Sequence, residues 1–173
     1  MDIADAKKEA QEIYKSLRPI VKDTVGKHSK EIDSIIAKIK KNLTTLNNKE
    51  LQDYMLQLSV EAYYFAENKD LSILMQECAL AISKETQANV FNSTSGTQAV
   101  RSNQAIINSI DKQVVVMLQN AVANCMKSKL DEAHRMVNVL SSVLISRNAE
   151  NKLKGAANND GEDLSSNSIS KNN

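Results

Sequence analysis

Two histidines and two cysteines are the side chains best suited to nucleophilic or metal chemistry, and none has a partner at working spacing. His28 stands alone. His134 adjoins Arg135, and Asp131 lies four residues before that arginine, which is the spacing of an ordinary ion pair on a solvated helix face. Cys78 and Cys125 form no Cys-x-x-Cys and read as reduced, buried thiols of a cytoplasmic protein, not as a disulfide or a metal site. The carboxylates Glu61, Glu67, Glu77 and Glu85 lack the Glu-x-x-His pattern with which helical bundles bind metals. No phosphate loop, dinucleotide fingerprint, His-Glu-x-x-His or nucleophile elbow occurs. The expectation is a protein that is not an enzyme and holds neither cofactor nor metal.

The basic residues are the remaining chemistry. Lys127, Lys129, Arg135, Arg147, Lys152 and Lys154 follow one another along the C-terminal third, with Arg101 and Lys112 nearer its start. Cations of this kind neutralise phosphates, with an affinity that falls as salt rises. Aromatics able to stack on unpaired bases are few: Tyr14, Tyr54, Tyr63, Tyr64, Phe65 and Phe91. Tyr63-Tyr64-Phe65 reads as core packing, and Phe91, at the edge of a polar loop, as the more exposed ring. Charge is segregated by segment although the net charge is only +1. Residues 1–48 carry ten Lys/Arg against seven Asp/Glu, 49–92 three against seven, 93–154 eight against four, and 155–173 one against three. Two central segments of opposite sign attract each other if paired antiparallel. The same segregation also leaves a basic surface for a polyanion.

Those residues must be carried by helices. Among 173 residues there are one Pro, four Gly and no Trp, with 42% hydrophobic and 25% charged, so few breaks are forced and helices run long. Residues 2–17 read as a polar helix. Pro19 and Gly26 then predict a bend over 18–28, and Ser29 opens a second helix. Ile32, Ile35, Ile36, Ile39, Leu43 and Leu46 form one narrow apolar stripe there. Asn47 and Glu50 have capping-box spacing for a helix reaching about Phe91. Its apolar positions are Leu51, Tyr54, Met55, Leu58, Ala62 and Phe65, then Leu71, Leu74, Met75, Cys78, Ala81 and Ile82. The polar stretch Glu67–Asp70 shifts the phase between the two sets. Asn92–Thr97 is the strongest loop signal. A last helix is predicted from Gln98 to Lys154, its seam including Ile107, Ile110, Val114, Met117, Leu118, Ala121, Met136 and Leu140.

The fold class that follows is all-α: a long antiparallel helical hairpin, with coiled-coil-like packing in an oligomer. A helical arm occupies 1–44, the hairpin core 45–154 with its loop at 92–97, and a disordered tail 155–173, whose acidic, Ser/Asn-rich composition cannot offset ordering entropy. There is no internal repeat, no apolar run of membrane-spanning length and no signal-peptide pattern at the start. A lone hairpin leaves a two-sided seam uncovered, and identical chains are the simplest cover. The homo-oligomer seam is assigned to Ile35, Ile39, Val114, Leu118, Ala121, Met136 and Leu140.

Three features together resemble the UvsY-like phage recombination mediators. These are the long helix from Glu50, the loop Asn92-Ser-Thr-Ser-Gly-Thr97 after an aromatic, and the basic last helix ending Ile145-Ser-Arg-Asn-Ala-Glu-Asn-Lys152. The similarity covers about residues 45–152. It implies a small helical oligomer that binds single-stranded DNA and helps load a recombinase onto strands coated by single-strand binding protein. In that family basic residues sit about one turn before the loop, whereas Lys84-Glu85-Thr86-Gln87-Ala88-Asn89-Val90-Phe91 carries one positive charge. The nucleic-acid-binding residues expected here are Lys84, Arg101, Lys127, Lys129, Arg135 and Arg147. On this reading the protein is phage-encoded, works in the host cytoplasm and has no membrane role. A helical scaffold, or a partner-inhibiting protein with no nucleic-acid role, is the alternative.

Overall fold

The computed structural model describes residues 3–162 and consists there of four helices: α1 (Ile3–Asn42), α2 (Asn48–Ser93), α3 (Gln98–Asn108) and α4 (Ile110–Glu162). The all-α class is as the composition requires. α2 and α4 make the most extensive contact, α1 lies against both, and α3 packs on the end of α2. The hairpin of the sequence reading is thus α2 with α4, and the arm is a third wall of the core.

The bend predicted over 18–28 does not form, and α1 runs unbroken through Pro19 and Gly26. Pro19 removes the donor for the Lys15 carbonyl, but both residues are exposed, where the loss costs less than it would in the core. Val21, Val25, Ser29, Ile32, Ile36 and Ile39 keep the buried face of α1 continuous across the interruption. Burial along one face outweighs two unfavourable residues on the other.

α2 begins at the capping box: Asn47 Oδ1 accepts from the Glu50 N–H at 2.9 Å, and Glu50 Oε2 accepts from the Asn47 N–H at 2.7 Å. The helix crosses Glu67–Asp70 without a break. Thr94 ends it, Gly96 turns the chain at φ +123°, and Thr97 caps α3.

The single last helix of the sequence reading is interrupted at Ser109. This residue is fully buried, with φ −103° and ψ 1°, and its N–H donates back to the carbonyls of Ile106 and Ile107. Its hydroxyl donates to the Ile106 carbonyl at 2.9 Å and accepts from Gln87 Nε2 at 3.0 Å and Gln113 Nε2 at 2.9 Å. Re-phasing at this point turns out Ile107, Ile110 and Met117, which the seam had included; they are 58, 51 and 54% exposed. At the far end α4 continues to Glu162, past the Gly155 at which the tail was placed. The remainder of that tail, 163–173, lies outside the described residues.

One hydrophobic core joins Val25, Ile32 and Ile39 of α1, Leu51, Leu58 and Phe65 of α2, and Met126, Ala133 and Leu140 of α4, among others. Most of the residues assigned to an oligomer seam are spent here. Ile35, Ile39 and Leu140 belong to the core, Leu118, Ala121 and Met136 pack against it, and Val114 is half-buried. They are occupied within one chain because α1, which had been set apart as an arm, packs against both α2 and α4. Charge plays little part in the α2–α4 pairing: among the described residues the inter-helix ion pairs run between α1 and α4.

Candidate functional site

Three of the six residues expected to bind nucleic acid serve the fold. Lys129 Nζ lies 2.7 Å from Asp33 Oδ1 on α1 and 3.3 Å from Glu132 Oε2 one turn on. Its hydrogen bond to Asp33 holds the ammonium pKa above its ordinary value, against the opposing effect of burial. Glu132, which also accepts from Lys40 Nζ at 3.1 Å, has its carboxyl held below the usual range, chiefly by that bond. Arg147 donates through Nη1 to the Leu46 carbonyl and through Nη2 to the Leu43 carbonyl, just past the end of α1. Arg101 lies 4.2 Å over the centre of the Phe91 ring and donates through Nε to the Phe91 carbonyl at 2.9 Å. Phe91 is accordingly half-buried under a guanidinium and not the exposed ring expected. The sequence did not reveal these contacts, because the acceptors lie 10, 96 and 101 residues away, or in the backbone.

Lys84, Lys127 and Arg135 remain exposed, although Arg135 Nε donates to the Asp131 carbonyl at 3.2 Å in place of the side-chain ion pair expected. Lys84 is on α2, apart from the other two. Lys127 and Arg135 share an outward face of α4 with Asp131, His134, Asn138, Ser142, Ile145, Ala149 and Lys152, all exposed and recurring every three or four residues. Asp131 is the single acidic residue of that row. The sequence reading had the basic residues following one another along the C-terminal third. The structure separates them into those that turn inward to hold α1 or Phe91 and a row that faces solvent. His134 and Lys152 join the row, and their distances of 7 and 25 residues from Lys127, each close to a whole number of turns at about 3.6 residues per turn, were the available signal.

Elsewhere the expected side-chain environments are partly reversed. Phe65 is buried, but Tyr63 and Tyr64 are 75 and 59% exposed, their rings edge to face at 5.7 Å. Both cysteines are exposed free thiols, not buried ones. A cleft of about 890 Å³ lies between the middle of α1 and α4. It is walled by Leu17, Val21, Val25 and Met117 and bordered by the Asp33–Lys129–Glu132 cluster. Among the described residues there is no group of three His, Cys, Asp or Glu side chains able to hold a metal, and no helix is long and apolar enough to cross a membrane. In comparison with known proteins, no family model, curated protein or solved structure matches the chain.

Proposed function

We propose that the chain is a non-enzymatic, oligomeric accessory protein of phage-type DNA recombination or replication, binding single-stranded DNA along the outward face of α4. The observation that carries this reading is the row Lys127, Arg135 and Lys152 on one exposed helix face, diluted by only one carboxylate. Three cations on a convex, unbroken helix suit the backbone of a flexible strand and offer nothing that reads bases. The UvsY-like resemblance supplies the rest of the reading, a recombinase and a single-strand binding protein as partners.

Titration of a labelled single-stranded oligonucleotide over a range of salt tests it. Each phosphate neutralised on a single strand contributes about 0.7 to the logarithmic salt slope, so three cations give a slope of about −2 per protomer. Replacing Lys127 and Arg135 together by Ala removes about 1.4 of that, weakens binding alike across sequences and leaves helicity unchanged. No binding at low salt, or binding insensitive to salt, favours the alternative of a helical scaffold or partner-binding protein. The specific support for that second reading is the apolar surface α2 leaves uncovered at Leu71, Leu74, Met75 and Ile82.

A further inference from the structure

Along α2, the apolar spacing of Leu51, Tyr54, Met55, Leu58 and Ala62 recurs twenty residues on as Leu71, Leu74, Met75, Cys78 and Ile82. At about 3.6 residues per turn, that interval is roughly five and a half turns, which puts the second set across the helix from the first. α2 passes Glu67–Asp70 unbroken, so the offset is realised in space. The first set lies in or against the core. In the second, Leu71, Leu74, Met75 and Ile82 are 55, 55, 56 and 52% exposed, and Cys78 is exposed too. What faces inward over the same stretch is small: Ser72, Ala79 and Ser83 are the buried residues, with Ser72 Oγ donating to Met126 Sδ at 3.0 Å. Large side chains outward and small ones inward is the reverse of a helix whose partners are all within its own chain.

The geometry points to a second copy of this chain as the occupant, its own α2 laid antiparallel along the stripe. Leu71, Met75, Cys78 and Ile82 are separated by four, three and four residues, the alternation of a coiled-coil seam. That order reads the same from either end. A two-fold axis between Met75 and Cys78 therefore sets Leu71 against Ile82, Met75 against Cys78 and, at the ends, Tyr64 against Asn89. An interface of this kind is isologous and closes on itself. The apolar centre from Leu71 to Ile82 is flanked on each side by Asn68 level with Glu85. The whole contact from Tyr64 to Asn89 is roughly 38 Å long at about 1.5 Å per residue, which with its flanks is of the order of the ~800 Å² per partner of a standard interface. A bilayer is a poor alternative, since the stripe is bordered by Glu67, Asp70, Glu77 and Glu85, where an anionic lipid surface requires Lys and Arg.

The inference deepens the oligomeric part of the proposed function and is independent of its nucleic-acid part, because it is read without DNA. Sedimentation equilibrium of the full chain is expected to give twice 19.1 kDa at micromolar concentration. Leu71→Asp and Ile82→Asp are each expected to give monomers with unchanged helical content, since both side chains are already half-exposed within one chain. Leu71→Cys and Ile82→Cys chains, both carrying Cys78→Ala and Cys125→Ala, are expected to cross-link to each other with a short bismaleimide. Neither variant is expected to cross-link to itself, its two copies being about 16 Å apart along the axis at ~1.5 Å per residue. A wild-type monomer overturns the proposal. So does a dimer that survives Leu71→Asp, or self-cross-linking of the Leu71→Cys chain. A dimer that behaves as expected but binds no oligonucleotide leaves this interface standing and removes the DNA reading alone.

Discussion

Lys129 Nζ meets Asp33 Oδ1 at 2.7 Å across the α1–α4 contact, two residues separated by 96 positions in the chain. The pair, with Glu132 and Lys40, is half-exposed and fastens α1 beside the cleft.

This cluster gives stability two pH limits. The Lys129 pKa is raised on folding, so its contribution is complete below the unfolded value of about 10.4 and is lost as pH rises through the folded value. The Glu132 pKa is lowered, so its contribution is complete above about 4.3 and is lost as pH falls through the folded value. Lys129→Met is expected to cost about 0.5–1 kcal/mol at neutral pH, given the solvent screening of such pairs, and to flatten both limbs. Urea unfolding across pH checks this; an unaltered acid limb would show that Glu132 draws its stabilisation from Lys40 alone.

Arg147→Ala is expected to destabilise the fold by about 1.5–3 kcal/mol, because the carbonyls of Leu43 and Leu46 lose a charged donor. Thermal unfolding measures this. DNA affinity in the folded protein is expected not to change, which separates Arg147 from Lys127 and Arg135.

Gly26→Ala is expected to stabilise. Gly26 lies inside α1, a Cβ there meets nothing within 4 Å, and glycine within a helix costs about 0.5–1 kcal/mol relative to alanine. The melting temperature should rise by about 1–4 °C for a chain of this size. A fall would mean that the chain does bend near Gly26 in solution.

Ser109→Ala leaves the side chains of Gln87 and Gln113 without their shared acceptor. About 1–3 kcal/mol of local stability should be lost if water does not reach the site. Hydrogen exchange is expected to quicken in α3 amides and to remain slow around Leu58 and Leu140. Quickening throughout the chain would mean that α3 and the core open as one unit.

Local signals were legible in the sequence, and distant ones were not. The Asn47–Glu50 box, the loop glycine at 96 and the Ile32–Ile39 stripe each depend on neighbours within one or two turns, and each appears in the fold. The break at Ser109 depends on Gln87, which the chain brings back from 22 residues earlier. Pro19 and Gly26 misled because their cost is local, whereas the burial that overrides it comes from α4. The phase shift after Phe65 was visible, but its meaning was not. A break and an unbroken helix with two apolar faces give the same periodicity, and only the continuous backbone separates them. For the candidate site, type and spacing picked out Lys127 and Arg135 as cations, and the structure leaves both exposed. Type and spacing could not tell these from Lys129 and Arg147, whose acceptors lie on another part of the chain.

The order of synthesis gives the Asp33–Lys129 pairing a further consequence. α1 leaves the ribosome first, yet the helix that completes its buried side is made about a hundred residues later. At about 5–20 residues per second, that is a delay of roughly 5–20 s during which Ile32, Ile35, Ile36 and Ile39 have at most α2 for cover. A nascent chain in this interval exposes a sticky isoleucine ridge to chaperones and to other nascent copies. Slower translation between Leu51 and Lys129 is therefore expected to lower the yield of the folded protein without altering its final stability.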